Sequence, residues 1–144
     1  MIKDSLKNYI YEVTLNELHL LNHMEEWNIS YNSLLYLDLI NLTPNCTGSY
    51  LAEKLCVSKA AVTLKLNELL KQDLVIKRQS SEDRRVYYVE VSSRCRVYYK
   101  LVEKAMSHAI SNVKRKYSEK EIGIFCNILD DMRNDYIQEM ENEK

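Results

Sequence analysis

Two arginines, Arg84 and Arg85, end a wholly polar stretch that begins at Gln79 and separates two runs rich in β-branched and aromatic residues, Val75-Ile76-Lys77-Arg78 and Val86 to Val91. Those runs read as the strands of a hairpin, which places the arginines at its tip. Guanidinium groups on such a tip suit the narrow, strongly negative minor groove of duplex DNA. Just upstream, Lys59, Thr63, Lys65 and Asn67 fall opposite an apolar stripe of Val62, Leu66, Leu69 and Leu70 at helical spacing. Lys59 and Lys65 suit phosphates, and Thr63 and Asn67 suit base edges. Ala60 and Ala61 are small enough to let the helix backbone approach a groove closely. Ser58 precedes this helix as a candidate N-cap and a further contact, while Ser49 and Tyr50 open the helix before it, where backbone amides suit a phosphate.

Other chemistries are thinly represented. His19 and His23 stand four residues apart with Glu17 and Glu26 nearby, a helical spacing that can share a zinc ion. The pair alone favours surface or interface histidines, and no metal or other cofactor is expected. Cys46, Cys56, Cys95 and Cys126 are scattered without a CxxC or metal-finger spacing. Cys56, in an apolar turn, and Cys126, beside an apolar seam, are expected to be small buried hydrophobes, and Cys46 and Cys95 to be more exposed. There is no glycine-rich phosphate loop, no Gly-x-Ser-x-Gly and no carboxylate pair in a defined context, so an enzyme is not expected.

The elements that position these groups follow from periodicity. A short helix is expected from Gly48 to Leu55 with Thr47 as its cap, then a tight turn through Cys56 and Val57, the helix after Ser58, and the hairpin. This is the order of a winged helix-turn-helix. Upstream, Asp4 to Trp27 forms one long helical pattern and Tyr31 to Leu42 a second, apolar nearly all round and so central to the core. Pro44 stops it. Downstream, Ser93 to Tyr117 is helical, and Ser118 and Glu121 frame a capping box before a last helix to about Glu141. The fold class is mainly α, with the hairpin as its only expected β structure.

Charge is distributed unevenly over the 144 residues. Residues 47–100 hold eleven Lys/Arg against six Asp/Glu, a net of +5, whereas 1–46 and 101–144 carry −4 and −2. The positive segment coincides with the winged one, as nucleic-acid binding requires. No signal peptide opens the chain and no apolar run reaches the ~20 residues needed to cross a bilayer. With free thiols, a reduced, cytoplasmic setting is the expectation, without a membrane partner.

Leu51-Ala52 with Leu55, Val57-Ser58-Lys59, Val62-Thr63, Leu69, Leu74-Val75 and above all Glu82-Asp83-Arg84-Arg85-Val86 resemble the MarR family of bacterial transcriptional regulators. The motif resemblance spans about Ile29 to Val91. It implies that Arg85 serves the wing's engagement with DNA and that Asp83 helps to hold it. It also implies an effector such as a small aromatic acid, in a crevice to which Tyr36 and other apolar residues of the second helix contribute, with ordinary core packing as the other reading of each tyrosine. The chain departs from the family pattern at Ala60-Ala61, where a polar pair is usual, at Leu64, where an arginine is frequent, and at Asp73, where a helix-terminating glycine is common. Cys95 lies where a Leu-Thr-x-x-Gly-like turn is usual. The family's peroxide-sensing branch uses a cysteine near the start of the first helix, and none stands there.

On the last helix Ile122, Phe125, Leu129, Met132, Tyr136 and Met140 recur as a seam, and Leu6, Tyr9, Ile10 and Val13 give the first helix a surplus apolar face. Residues 1–30 and 115–144 are therefore expected to pair with a second copy, around a winged DNA-binding region with its connecting helix at 31–114. A two-fold homodimer predicts an inverted-repeat operator in double-stranded DNA with half-sites about 10 bp, or a multiple of that, apart. Repression by occupancy is the simplest mode. The alternatives are a winged-helix interaction module without specific DNA binding, and a metal- or thiol-responsive regulator of the same fold.

Overall fold

A computed structural model describes residues 1–25 and 27–143. It divides into two compact units, Met1–Val102 and Glu103–Lys144. The chain runs α1 (Ile2–Glu25), α2 (Tyr31–Leu42), α3 (Gly48–Leu55), α4 (Lys59–Lys71), β1 (Val75–Gln79), β2 (Tyr87–Val91), α5 (Ser93–Lys116) and α6 (Glu119–Asn142). This mainly helical fold with one small antiparallel sheet is the expected winged helix. α1 stops short of Trp27, which is buried outside the helix beneath the Arg94 guanidinium. The turn that follows is closed by the Asn22 side chain, whose amide donates to the Ile29 carbonyl at 3.0 Å and accepts the Ile29 N–H at 2.6 Å.

The helices after α1 begin where a side-chain oxygen can accept a first-turn amide. Ser30 accepts from Ser33 N–H, Thr47 from Tyr50, Ser58 from Ala61, Ser92 from Cys95 and Ser118 from Glu121, at 3.1–3.3 Å. At Ser118 the capping box is complete, and its hydrogen bonds to Glu121 hold that carboxyl below its usual range. Helix ends are more unusual, because neither of the two glycines serves them. α4 closes with Leu74 N–H on the Leu69 carbonyl and Asp73 N–H on the Leu70 carbonyl, and Asp73 itself adopts φ 56°. This is a Schellman closure with an aspartate in the left-handed position. α3 ends the same way through Cys56, at φ 52°, with Val57 N–H on the Ala52 carbonyl.

In the first unit Leu21, Leu34, Leu37, Leu51, Leu69, Leu74 and Tyr98 are fully buried in one cluster that also takes Val62 and Val75. α2 is central as expected, although Leu35 and Leu42 on it are exposed. β1 pairs with β2 from Val75↔Val91 to Gln79↔Tyr87. Val89 N–H also donates to the Cys46 carbonyl at 2.8 Å, which ties the segment before α3 to the outer edge of β2. In the second unit no described residue is buried, and Ile124, Phe125, Ile128, Tyr136 and Ile137 of α6 are exposed. No helix among the described residues is long and apolar enough to cross a membrane.

Candidate nucleic-acid interface

α4 carries one buried edge, Val62, Leu66 and Leu69, which packs it into the core beside α3. Its exposed side includes Ala60 and Asn67, with Lys59 and Thr63 also exposed but nearer the buried edge, and Ser58 is exposed at its start. At 3.6 residues per turn the centre line of that exposed side is Ala60, Leu64, Asn67 and Lys71. Leu64, 73% exposed, is missing from the polar face expected from sequence, although its spacing from Ala60 placed it there. Thr63 Oγ1 donates to the Lys59 carbonyl at 2.9 Å, so its proton is used within the helix.

Lys65 is held within the protein. Expected to reach phosphate, it is only 19% exposed and donates to Ser33 Oγ at 3.2 Å and Glu68 Oε2 at 2.8 Å. Its position lies at the margin of the buried stripe, so the ammonium ties α4 to the first turn of α2. Ser49 is exposed at the start of α3, whereas Tyr50 is half-buried, with its amide on Thr47 Oγ1 and its ring beneath the Lys54 ammonium.

The wing tip is braced from inside. Ser80, itself buried, accepts the amides of Glu82 and Asp83 on Oγ and donates its own N–H to the Val86 carbonyl. Gln79 donates to the Arg84 carbonyl at 2.7 Å. Asp83 accepts Arg85 Nε and Nη2, both at 3.1 Å, and the Arg85 backbone N–H at 2.9 Å. The Arg85 side-chain hydrogen bond is the main reason the Asp83 carboxyl titrates below its usual range. The pairing leaves Arg85 90% exposed, with Arg84 exposed beside it. Arg78 is committed elsewhere: it bonds Glu90 at 2.7 Å and Asn45 at 2.9 Å and stacks on Tyr88.

The remaining candidates are dispersed. His19, His23 and His108 are exposed, Glu26 lies outside the described residues, and no cluster of three or more His, Cys, Asp or Glu among the described residues is placed to hold a metal. The cysteines invert the expectation. Cys46 and Cys95 are fully buried, whereas Cys56 and Cys126 are exposed. Cys46 is enclosed where its carbonyl meets β2, and Cys95 faces the core from the first turn of α5. Cys56 is turned outward by its left-handed backbone, and Cys126 lies on a helix with no buried residue. Burial pushes the Cys46 thiol up to about 11, and burial with the Asp38 charge pushes Cys95 up to about 12, so neither is a thiolate at neutral pH. Tyr36 is buried in the core. Of the expected dimer residues, Tyr9, Ile10, Phe125, Leu129, Tyr136 and Met140 are exposed, and Leu6, Val13, Ile122 and Met132 half-buried.

The MarR family model matches residues 29–87, the stretch from the turn before α2 to the start of β2. Among solved structures, FabT of Streptococcus pneumoniae in complex with DNA is 24% identical, with a TM-score of 0.71, over 99% of this chain and 97% of that one. A MarR protein from Peptoclostridium difficile is 19% identical with a TM-score of 0.65, over 99% and 92%. Tm0710, a transcriptional regulator from Thermotoga maritima, is 15% identical with a TM-score of 0.62, over 99% and 97%. A comparison with curated proteins gives no significant sequence match.

Proposed function

With residues 29–87 matching the MarR family model and the whole chain sharing the fold of MarR-family regulators, we propose that the chain is a DNA-binding transcriptional regulator. The observation that carries this reading is the wing, where Asp83 holds Arg85 outward next to Arg84 on the one segment with net positive charge. A forked cation fixed by a carboxylate loses little side-chain freedom on entering a groove. The fold relative solved with DNA supports the same use here. α4 enters the major groove through Lys59, Ala60, Thr63 and Asn67, with Ser49 and Ser58 near the backbone, while Arg84 and Arg85 occupy the flanking minor groove.

The regulator acts as a homodimer on an inverted repeat. The apolar side chains exposed on α1 and α6 support pairing with a second copy, since stripes of this kind are stable only when covered. It represses by occupying the promoter, and an effector of small aromatic or related chemistry modulates its hold.

The test is a gel-shift titration at fixed salt with Arg85→Ala. A fall in affinity of about tenfold, with an unchanged circular-dichroism melt, is expected from losing one groove arginine. Unchanged affinity refutes the wing's role. The second reading, a module for protein partners, is favoured by the exposed Leu64 alone. A salt series separates the two, because phosphate neutralisation makes affinity fall linearly in log–log with salt.

A further inference from the structure

The N-terminal half of the exposed face of α4 is apolar where a base-reading helix ordinarily offers donors. Ala60 and Ala61 are exposed and Leu64 is 73% exposed, while the Thr63 hydroxyl proton is spent on the Lys59 carbonyl. Of the lysines on α4, Lys65 is bonded to Ser33 and Glu68, whereas Lys59 and Lys71 are exposed at the two ends of the helix, away from Leu64. An apolar side chain pressed against a base edge gains only where it meets another apolar group. The major groove offers one, the C5-methyl of thymine. From this, and resting on the DNA-binding reading above, we infer that α4 reads A·T base pairs through their thymine methyl groups, with Leu64 and Ala60 as the methyl contacts.

Two further features fit this occupant. Asn67 lies on the same line as Ala60 and Leu64 and is exposed, and its amide matches the N6/N7 edge of an adenine. No arginine stands on α4 to take a guanine edge, and its exposed lysines, Lys59 and Lys71, stand at its ends and not beside Leu64. The surrounding segment carries net +5, which suits a polyanion and disfavours a basic protein partner.

The experiment begins with fragments selected from the source genome by the full-length protein, from which the half-site is defined. Gel-shift titrations at fixed salt then compare three probes: the natural half-sites, the same half-sites with core thymines replaced by uracil, and a probe with uracil only in the flanks. Removing a methyl that meets Leu64 is expected to weaken binding about fourfold per contact, and so about tenfold or more over two half-sites. The flank probe retains full affinity. Leu64→Ala, at an exposed position where folding is preserved, is expected to bind the thymine and core-uracil probes more nearly alike. Equal affinity of the unaltered protein for the thymine and core-uracil probes overturns the inference and leaves the regulator reading standing. Failure to bind any genomic duplex at low salt overturns both.

Discussion

Met1–Val102 and Glu103–Lys144 contrast in how they use apolar residues. The first unit gathers many of its leucines and valines into one cluster in which several side chains have no exposed surface. The second carries comparable apolar stripes on helical spacing and buries none of its described residues. Most of the stability of an amphipathic helix such as α6, 24 residues long, comes from covering its apolar stripe. The first unit therefore accounts for its own order, whereas the second calls for a partner surface. On the reading proposed here that surface is a second copy of the chain.

The sharpest way to break the contrast is one substitution in each unit. Leu37→Ala empties a fully buried site and is expected to cost about 2–5 kcal/mol in urea denaturation. Leu129→Glu places a charge in the exposed seam of α6. It is expected to leave the first unit's core intact but convert a dimer to a monomer in sedimentation at micromolar protein, with a loss of melting temperature that shrinks on dilution of the unaltered protein. A wild-type chain already monomeric under those conditions removes the partner from the argument.

A smaller effect lies inside the first unit, where polar groups interrupt the core. Asp38 of α2 is half-buried and accepts the Tyr99 hydroxyl at 2.8 Å. Burial raises its pKa, and the Tyr99 bond offsets this only in part. Glu17 of α1 is raised by burial and then by the Asp38 charge. Cys95 and Tyr98 of α5 also feel this charge, and the Tyr98 hydroxyl is buried without a hydrogen-bond partner among the described residues. With folded pKa values above the unfolded ones, the native state binds more protons. Their contribution is fully present below the ordinary carboxylate range and is lost as pH rises through the raised values. Asp38→Asn keeps an acceptor for Tyr99 and removes the charge. Its stability relative to the unaltered protein is expected to be more favourable near about pH 7 than near about pH 4. A difference independent of pH, measured by urea titration, removes Asp38 from this linkage.

Period and caps made most of the secondary structure of both units legible in sequence. The α3–turn–α4 order, the caps at Thr47, Ser58 and Ser118 and the hairpin all depend on neighbours within a few residues. What failed depends on distant ones. Cys46 is enclosed by a bond to Val89 across the sheet, and Lys65 is drawn to Ser33 on another helix. Cys56 failed for a local reason of a different kind, because a left-handed backbone turns its side chain outward from an apolar sequence. Leu64 was legible by spacing, but hydropathy assigned it to no face. The wing bracing by Ser80 and Gln79 had no signal, since polar residues in a hairpin tip are equally consistent with simple solvation.

The smallest predicted effect sharpens the contrast by acting on one unit alone. Asp73 holds φ 56° to close α4, with Leu69 and Leu74 fully buried across the closure. An L-residue there costs about 1–2 kcal/mol relative to glycine in backbone strain. Asp73→Gly relieves that strain but gives the unfolded chain more freedom, worth about 0.5–1 kcal/mol against it. It also loses the exposed contact of Asp73 with Arg94 at 3.4 Å, a pair of a class worth about 0–1 kcal/mol. At the midpoints of these three contributions the balance is a gain of about 0.3 kcal/mol in urea denaturation. Because the substitution touches the helix closure and not the seam of α6, the association constant from sedimentation is expected to stay the same. A gain in stability accompanied by tighter association means that the two units share an energetic dependence which their different burial does not reveal.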